Sequence, residues 1–364
     1  MREESCDVLV AGHGAAGCVT AARLASLGLR VSLIGRGTTA TALSTGRVSF
    51  TDGELGSAGE PIRFLKEHGG PWGLFQGPVG RREAWTNMGT MSAQSLSSDH
   101  DWLSEDSDAA VLGLAGHPDL DPDLLCSAAA RSRKARAVPY WADIGPWRSM
   151  GRDEIVDVLS EVLKDVPQGT VVLPPLFPGR GGADALRLLE RKSGRKMREP
   201  MTPLSCPGQR AQSCLEEAAA RCGVTLLKDR WLAEVEMDGR DALSATAASG
   251  IREVRFEIKA LVMACGNLIG GGLAIDGTMV REPVLALGTR EARGKGIGSQ
   301  ALRAALATGV EARGGRAVAA GGRRSGNIFI AGSMLPGMSY PLGKGLGPVI
   351  LNAWETAGAV REAL

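Results

Sequence analysis

The chain has 364 residues, and its 42 lysine and arginine residues nearly balance its 40 aspartate and glutamate residues. This length is enough for one elaborate domain or two interleaved domains. The charge balance argues against nucleic acid or a charged membrane surface as a partner. The 50 glycines, set against two tyrosines and six phenylalanines, indicate many sharp turns and close backbone approaches rather than disorder.

The seven cysteines are odd in number and include no C-x-x-C pair. This pattern argues against a disulfide framework, a zinc site or an iron–sulfur cluster held by this chain alone. The opening residues MREESCDV place two acidic residues before an apolar strand, so we expect no signal peptide. No apolar run approaches the roughly 20 residues of a membrane helix. We therefore expect a protein of the reducing cytoplasm without its own metal site or membrane span.

The first 35 residues predict a strand, a glycine turn, a helix and a second strand. The strand covers residues 8–11, the helix 14–27 and the second strand 29–34. Between them, GHGAAG at 12–17 matches the pattern G-x-G-x-x-G. In that pattern Gly12 permits the tight turn, Gly14 lets backbone N–H groups approach a pyrophosphate, and Gly17 allows close helix–strand packing. His13 is interpreted as a residue of the turn.

The rest of the chain predicts a sheet that is completed late. Residues 60–110 show weak periodicity, whereas 153–163 and 210–222 predict helices. Alternating segments over 231–259 predict a small antiparallel meander, which leads into a buried strand at 260–267. A last strand at 328–331 precedes a terminal helix from about residue 348. The pattern predicts an α/β fold with a doubly wound parallel sheet, a meander and an inserted second region.

Three late segments resemble the corresponding parts of glutathione-reductase-like flavoproteins. Ala264-Cys265-Gly266 resembles their Ala-Thr-Gly strand end, and IAGS at 330–333 resembles their final Ala-Gly-Asp strand, which returns to the ribityl chain. The loop 343–347 would place amides and a helix N-terminus near the flavin pyrimidine edge, where partial positive charge stabilises reduced flavin. The order of these segments favours a flavin over a nicotinamide. We expect 1–60 and 223–364 to form the flavin-binding Rossmann-like domain, and 61–222 the inserted substrate or partner region.

Residues 261–287, LVMACGNLIGGGLAIDGTMVREPVLAL, are similar to the B subunit of anaerobic glycerol-3-phosphate dehydrogenase. That family has an alanine–small–glycine strand end, a Gly-Gly-Leu step and an Arg-Glu-Pro triplet, here Arg281, Glu282 and Pro283. LSTGRVSF at 43–50, LPPLFPG and PLSCPGQR resemble further segments of the family. Its second strand also ends in Arg-Gly without a ribose-binding acid. The resemblance runs from end to end and is loosest over residues 60–150.

The resemblance implies a subunit of a flavin-dependent enzyme that works with partners. In it a companion flavoprotein subunit oxidises glycerol 3-phosphate to dihydroxyacetone phosphate, and an iron–sulfur subunit passes electrons to membrane quinone. The chain would be cytoplasmic, or peripheral at the inner face of the membrane through these partners. The resemblance implies FMN, which has no adenosine ribose for an acid to bind; FAD stays open because the glycine turn suits a pyrophosphate equally well. Arg36, at the usual place of that acid, either meets a phosphate or is solvated.

No catalytic residue is assigned, because the four histidines all precede residue 118 and no paired acid–base set is evident. Arg281 and Glu282 are expected to form an internal salt bridge, and Cys265 to be a buried structural thiol. The predicted cofactor-binding residues are Gly12, Gly14, Ala15, Ala16, Gly17, Arg36, Ser44, Thr45, Gly46, Ala264, Gly266, Gly332, Ser333, Gly345 and Gly347.

Two other functions stay open at this point. One is a self-sufficient flavin-dependent dehydrogenase or reductase of another small substrate, with its catalytic groups in residues 60–220. The other is a scaffold subunit without flavin, which keeps the fold and holds partners together.

Overall fold

The structure is a computed structural model, and it describes residues 2–70, 77, 79–96, 98–103, 108–132, 136–167, 169–202, 206–277, 279–291, 300–338 and 345–364. Its helices are α1 Ala15–Ser26, α2 Asp52–Leu55, α3 Gly59–His68, α4 Pro122–Ser132, α5 Arg152–Val162, α6 Gly182–Ser193, α7 Cys206–Arg221, α8 Gln300–Ala307 and α9 Leu346–Ala363. Its strands are β1 Arg2–Ser5, β2 Val8–Ala11, β3 Val31–Gly35, β4 Val79–Trp85, β5 Met91–Leu96, β6 Asp108–Leu114, β7 Arg136–Ala142, β8 Thr170–Val172, β9 Lys196–Arg198, β10 Thr225–Lys228, β11 Trp231–Asp238, β12 Asp241–Ser249, β13 Arg252–Glu257, β14 Ala260–Met263, β15 Ala274–Asp276, β16 Met279–Arg281, β17 Thr289–Glu291, β18 Thr308–Val310, β19 Ala312–Arg313, β20 Arg316–Val318 and β21 Arg324–Ile330.

The chain folds into two compact units. The first consists of Met1–Thr41, Phe50–Gly69 and Leu215–Leu364, and the second of Ala42–Ser49 and Gly70–Cys214. Each unit has its own sheet and its own apolar core. The domain division expected from the sequence stays a prediction.

A seven-stranded sheet forms the centre of the first unit. Its strand order is β10-β3-β2-β14-β21-β20-β19. The first five strands run parallel, and β20 and β19 continue the sheet antiparallel. Every residue of β2 and β14 is buried, which fits their continuous apolar runs VLVA and ALVM. The α/β fold class with a parallel sheet is confirmed.

The two faces of this sheet are covered by different structures. Alternate residues of the central strands, such as Leu9 and Leu261, join one apolar cluster with Phe256 and other residues of a second sheet, ordered β1-β13-β12-β11. That second sheet contains the predicted meander, and β1 extends it by pairing parallel with β13. Helices α1 and α9 pack against each other and against strands of the seven-stranded sheet. Their contact includes a hydrogen bond of 3.1 Å from Thr20 Oγ1 to the carbonyl oxygen of Ala353.

The second unit has a four-stranded parallel sheet that the sequence patterns did not predict. Its strand order is β7-β6-β8-β9. Leu112 of the sheet shares an apolar core with Leu159 of α5 and Leu186 of α6. Helix α5, Arg152–Val162, lies where the periodicity predicted a helix.

Two buried arginine–carboxylate pairs lie in this second unit. Arg47 pairs with Asp101, and Arg210 pairs with Glu199. The exposed fraction is 7% or less for each of the four side chains. Arg210 Nη1 also donates to the carbonyl oxygen of Phe177 at 2.9 Å. A buried charge that loses its partner is far less stable than the intact pair, so these contacts fix the segments that carry them.

We expect Arg210→Met to lower the free energy of unfolding by about 3–5 kcal/mol, because it leaves the Glu199 carboxylate buried without its guanidinium. A urea titration followed by circular dichroism measures this loss. The matched control is Lys192→Met, which removes an exposed cation paired with the exposed Asp157 and is expected to cost less than about 1 kcal/mol. Equal losses in the two variants would contradict the role given to the buried pair.

Candidate functional site

The register of the parallel strands brings their carboxyl ends to one edge of the seven-stranded sheet. Ala11, the last residue of β2, pairs with Ile34 of β3 and with Met263 of β14. Met263 in turn pairs with Ile330 of β21. The residues that follow these positions therefore lie side by side. In open α/β sheets this carboxyl edge is where ligands bind.

Gly12 turns the chain from β2 into α1, and the packing leaves no room for a side chain there. Its φ is 109°, and a Cβ atom would lie 2.2 Å from the carbonyl oxygen of Ala264. At Gly17 a Cβ atom would lie 1.7 Å from the carbonyl oxygen of Gly12. Two glycines of the motif are therefore required by the close approach of helix and strands, whatever binds at the edge.

Gly14 differs from these two because a Cβ atom added there would make only ordinary van der Waals contacts. It is the N-cap of α1, and a Cβ atom there would come no closer than 3.7 Å to another residue, the nearest atom being Thr41 Oγ1. The amide of Ala15 donates to this Thr41 hydroxyl at 2.9 Å. Thr41 is a site residue that the sequence did not single out, because no motif links it to an amide 26 positions away.

The late glycines meet the glycine turn at the same edge. Gly266, with φ 83°, lies beside Ser333, whose Oγ would be 3.5 Å from an added Cβ atom. Gly332, with φ 67°, lies against Ala16. A Cβ atom added at Gly332 would be 2.4 Å from the Cβ atom of Ala16. The amide of Gly332 donates to Asn352 Oδ1 at 2.7 Å. The structure thus brings segments more than 300 residues apart to one place.

The N-terminal turns of α1 and α9 both contact this edge. Gly345 is the N-cap of α9 and Gly347 lies buried in its first turn. Val349 Cγ1 would be 3.5 Å from a Cβ atom added at Gly332. Neither helix has an acidic residue in its first turn. The partial positive charge of both helix ends therefore faces the edge without a neighbouring carboxylate. Gly343, in the predicted loop, lies outside the described residues.

The end of β3 carries no acidic side chain. Arg36 is exposed, and its guanidinium lies 4.7 Å from the ring centroid of Trp231. The ring of His13 packs against Gly35, so closely that a Cβ atom added at Gly35 would lie 1.9 Å from His13 Nδ1. Burial lowers the pKa of His13, which favours the neutral ring. The sequence predicted His13 only as a turn residue, since the pattern does not reveal where its ring packs.

Ser44, Thr45 and Gly46 belong to the second unit. Gly46 has φ 69°, and a Cβ atom there would lie 2.5 Å from the carbonyl oxygen of Pro207. Its amide donates to Ser44 Oγ at 3.0 Å. The positive φ and the close approach to Pro207 explain why this position is a glycine. That the three residues belong to a cofactor site stays a prediction.

The Arg-Glu-Pro triplet does not form the expected internal salt bridge. Arg281 pairs with Asp276 at 3.2 Å across the β15–β16 hairpin. Glu282 is buried and accepts hydrogen bonds from the amides of Val284 at 2.9 Å and Leu285 at 2.7 Å. The carboxylate closes the turn that follows it, so the triplet is local structure. The expectation failed because the hairpin that brings Asp276 opposite Arg281 is not encoded in the triplet.

Cys265 has the geometry of a structural thiol. Its Sγ donates to the carbonyl oxygen of Ala11 at 3.2 Å, which ties the end of β14 to the end of β2. Burial raises its pKa to about 12, so the sulfur stays protonated.

Within the described part of the chain, no three His, Cys, Asp or Glu side chains converge as metal ligands, and no helix is long and apolar enough to cross a membrane.

Comparisons with known proteins return only remote structural similarity. No protein-family model and no curated protein sequence matches the chain. It is similar to a 3-ketosteroid-Δ4-(5α)-dehydrogenase from Rhodococcus jostii RHA1, with 11% identity over 100% of this chain and 97% of that one and a TM-score of 0.41. It is also similar to the Sdh1 complex of Mycobacterium smegmatis in the apo form. The identity is 11%, the match covers 100% of this chain and 69% of that one, and the TM-score is 0.43.

A third similar structure is a myxobacterial chondrochloren halogenase, described as a new variant of FAD-dependent halogenases. The identity is 13% over 73% of this chain, with a TM-score of 0.32, and the match spans 38% of the halogenase. These similarities identify no particular family for the chain. Its fold class rests on its own strand order and register.

We expect Gly17→Ala to lower the free energy of unfolding by about 1–3 kcal/mol, because the new methyl group would displace α1 from the carbonyl oxygen of Gly12. Gly14→Ala is the matched control at the open position and is expected to stay within about 1 kcal/mol of the original protein. Urea titration of both variants measures the difference. A Gly14→Ala loss as large as that of Gly17→Ala would contradict the open space assigned to Gly14.

Proposed function

We propose that the chain binds one flavin nucleotide at the carboxyl edge of its seven-stranded sheet and acts as a subunit of a flavin-dependent oxidoreductase. The observation that carries this proposal is the room at Gly14, directly before the first turn of α1, where an added Cβ atom would make only ordinary van der Waals contacts. The neighbouring glycines are closed by the protein's own packing, whereas this one leaves the helix end accessible to a phosphate.

The residues at this edge fit such a group. The amide of Ala15 is already bound by the Thr41 hydroxyl. The other first-turn amides of α1 have no intrahelical acceptors, so a phosphate beside Gly14 would receive hydrogen bonds from them. Ser333, which lies beside Gly266, would lie near the ribityl chain, and the start of α9 would place positive potential near the ring. The flavin, when bound, supplies the electron transfer, while these residues bind and orient it.

FMN is the flavin we favour. An adenosine ribose is commonly held by an acidic residue at the end of the second strand, but β3 ends in Gly35 followed by Arg36. The His13 ring fills space beside Gly35, and Arg36 stacks over Trp231. None of these side chains offers a carboxylate to a ribose hydroxyl.

We further propose that the enzyme is of the glycerol-3-phosphate dehydrogenase type, in which this chain is the B-type subunit. The collinear motifs of the sequence support this assignment, above all the segment 261–287. In the family that these motifs resemble, the chemistry on glycerol 3-phosphate belongs to a companion flavoprotein subunit, and we assign it in the same way here. An iron–sulfur subunit would carry the electrons to membrane quinone, and this chain would be held near the inner face of the membrane through these partners.

We expect Gly14→Val to abolish flavin content while the fold is retained, because the branched side chain occupies the approach of the phosphate. Flavin content is read from visible absorbance per mole of protein, and the fold from far-ultraviolet circular dichroism. The matched control is Gly59→Val, at an exposed glycine with no residue within 4 Å of an added Cβ atom. A folded Gly14→Val protein that remains yellow would contradict the placement of the phosphate.

The identity of the cofactor and the need for partners are tested on the purified chain. We expect the released flavin to be FMN, so that phosphodiesterase treatment leaves its fluorescence unchanged and yields no AMP. We also expect no bleaching of the isolated chain by glycerol 3-phosphate, and bleaching once the companion subunits are added. Bleaching by the substrate alone would favour a self-sufficient dehydrogenase.

A further inference from the structure

The second unit contains a buried arginine whose hydrogen-bonding capacity is only partly used. Arg47 is 4% exposed at its side chain, and one of its nitrogens, Nη1, pairs with Asp101 Oδ1. Its other two nitrogens, Nε and Nη2, are buried and have no hydrogen-bond partner among the described residues. Three of the five N–H groups of a guanidinium belong to these two nitrogens, and leaving them unpaired in the interior is costly.

Asp101 has no capacity left for these nitrogens. Besides Arg47 Nη1, its carboxylate accepts from Ser98 Oγ at 2.7 Å, the Ser98 amide at 3.0 Å and Gln94 Nε2 at 3.0 Å. A carboxylate offers about four acceptor positions, and all are therefore taken. Arg210, the arginine of the other buried pair, donates to both oxygens of the Glu199 carboxylate.

The two unpaired nitrogens of Arg47 lie on one edge of the guanidinium. Nε and Nη2 form the side-on fork, whose two parallel N–H groups match two oxygens of a carboxylate or phosphate. Other buried donors of the same unit are also unpaired among the described residues, namely Thr202 Oγ1 and the indole nitrogens of Trp85 and Trp102. The same described residues include one buried amide oxygen, Gln94 Oε1, and one ring nitrogen, His100 Nε2, that also lack a hydrogen-bond partner, so donor groups without a partner outnumber such acceptors among them.

The electrostatic balance around Arg47 agrees with a missing acceptor. Burial lowers its pKa to about 9, and Glu199 offsets this only in part because Arg210 lies close by with a charge of the same sign. A further negative charge at the open fork would stabilise the guanidinium. The two buried pairs together carry no net charge, because the two arginines are balanced by the carboxylates of Asp101 and Glu199.

We propose that the side-on fork of Arg47 anchors a binding site for a small oxyanion, a carboxylate or a phosphate group, inside the second unit. Arg47 and Asp101 both belong to the second unit, and the proposal does not depend on flavin being bound at the glycine edge of the first unit. It gives this unit a role in recognising an anionic small molecule.

The test is the anion dependence of thermal stability and binding of the full chain. Inorganic phosphate and acetate are each compared with chloride at equal ionic strength, first by melting temperature and then by titration calorimetry. We expect one saturable site for phosphate or for acetate, with a rise in melting temperature that chloride does not produce. The anion with the larger effect identifies which oxyanion chemistry the site prefers.

The variant Arg47→Lys keeps the positive charge beside Asp101 but removes the fork. We expect it to weaken anion binding by about tenfold or more. The matched control Arg148→Lys changes an exposed arginine of the same unit and should bind as the original protein does. Flavin content is measured in parallel and should be equal in all three proteins.

Two results would overturn the proposal. One is an original protein that shows no saturable site for either anion, in which case buried water occupies the fork. The other is equal anion binding by the original protein and Arg47→Lys, which would indicate an adventitious surface ion only. If the lysine variant does not fold, the titration of the original protein still decides the first of these outcomes.

Discussion

The first unit depends on one constraint, the close contact of backbone with backbone where the central strands end. Gly17 lies against the carbonyl oxygen of Gly12, and Gly12 lies against the backbone of Ala264. Gly332 lies against the Cβ atom of Ala16. Because side chains are missing at these points, α1 approaches β2 and β14 closely, and the last strand reaches the same edge. Close packing therefore explains the glycines at positions 12 and 17 of the turn. It does not explain the glycine at position 14, where a Cβ atom would fit.

The two units differ in how they use charge. At the carboxyl edge of the first unit the positive potential comes from backbone dipoles of α1 and α9, without an acidic residue in either first turn. The second unit buries full charges on Arg47, Asp101, Glu199 and Arg210. Backbone dipoles suit a phosphate that must remain exchangeable, whereas a buried guanidinium gives directional recognition of a small oxyanion.

Local patterns predicted the elements whose residues are close in sequence. The strand–turn–helix–strand at residues 8–35, helix α5 and the terminal helix followed from apolar periodicity and glycine spacing. Contacts between distant residues were out of reach. The hydrogen bond from the Ala15 amide to Thr41 depends on a loop whose course no pattern encodes. The pairing of Arg281 with Asp276 is local, but it depends on the β15–β16 hairpin, which was not predicted. The parallel sheet of the second unit was missed because a strand as short as β9, with three residues, shows no period.

The central claim is that the carboxyl edge of the first unit, left open at Gly14, holds one flavin. The most direct measurement is a titration of the apoprotein with FMN and, separately, with FAD, followed by flavin fluorescence and visible absorbance. The account predicts saturation at one flavin per chain, with FMN bound more tightly. A folded chain that stays colourless with both nucleotides would contradict it.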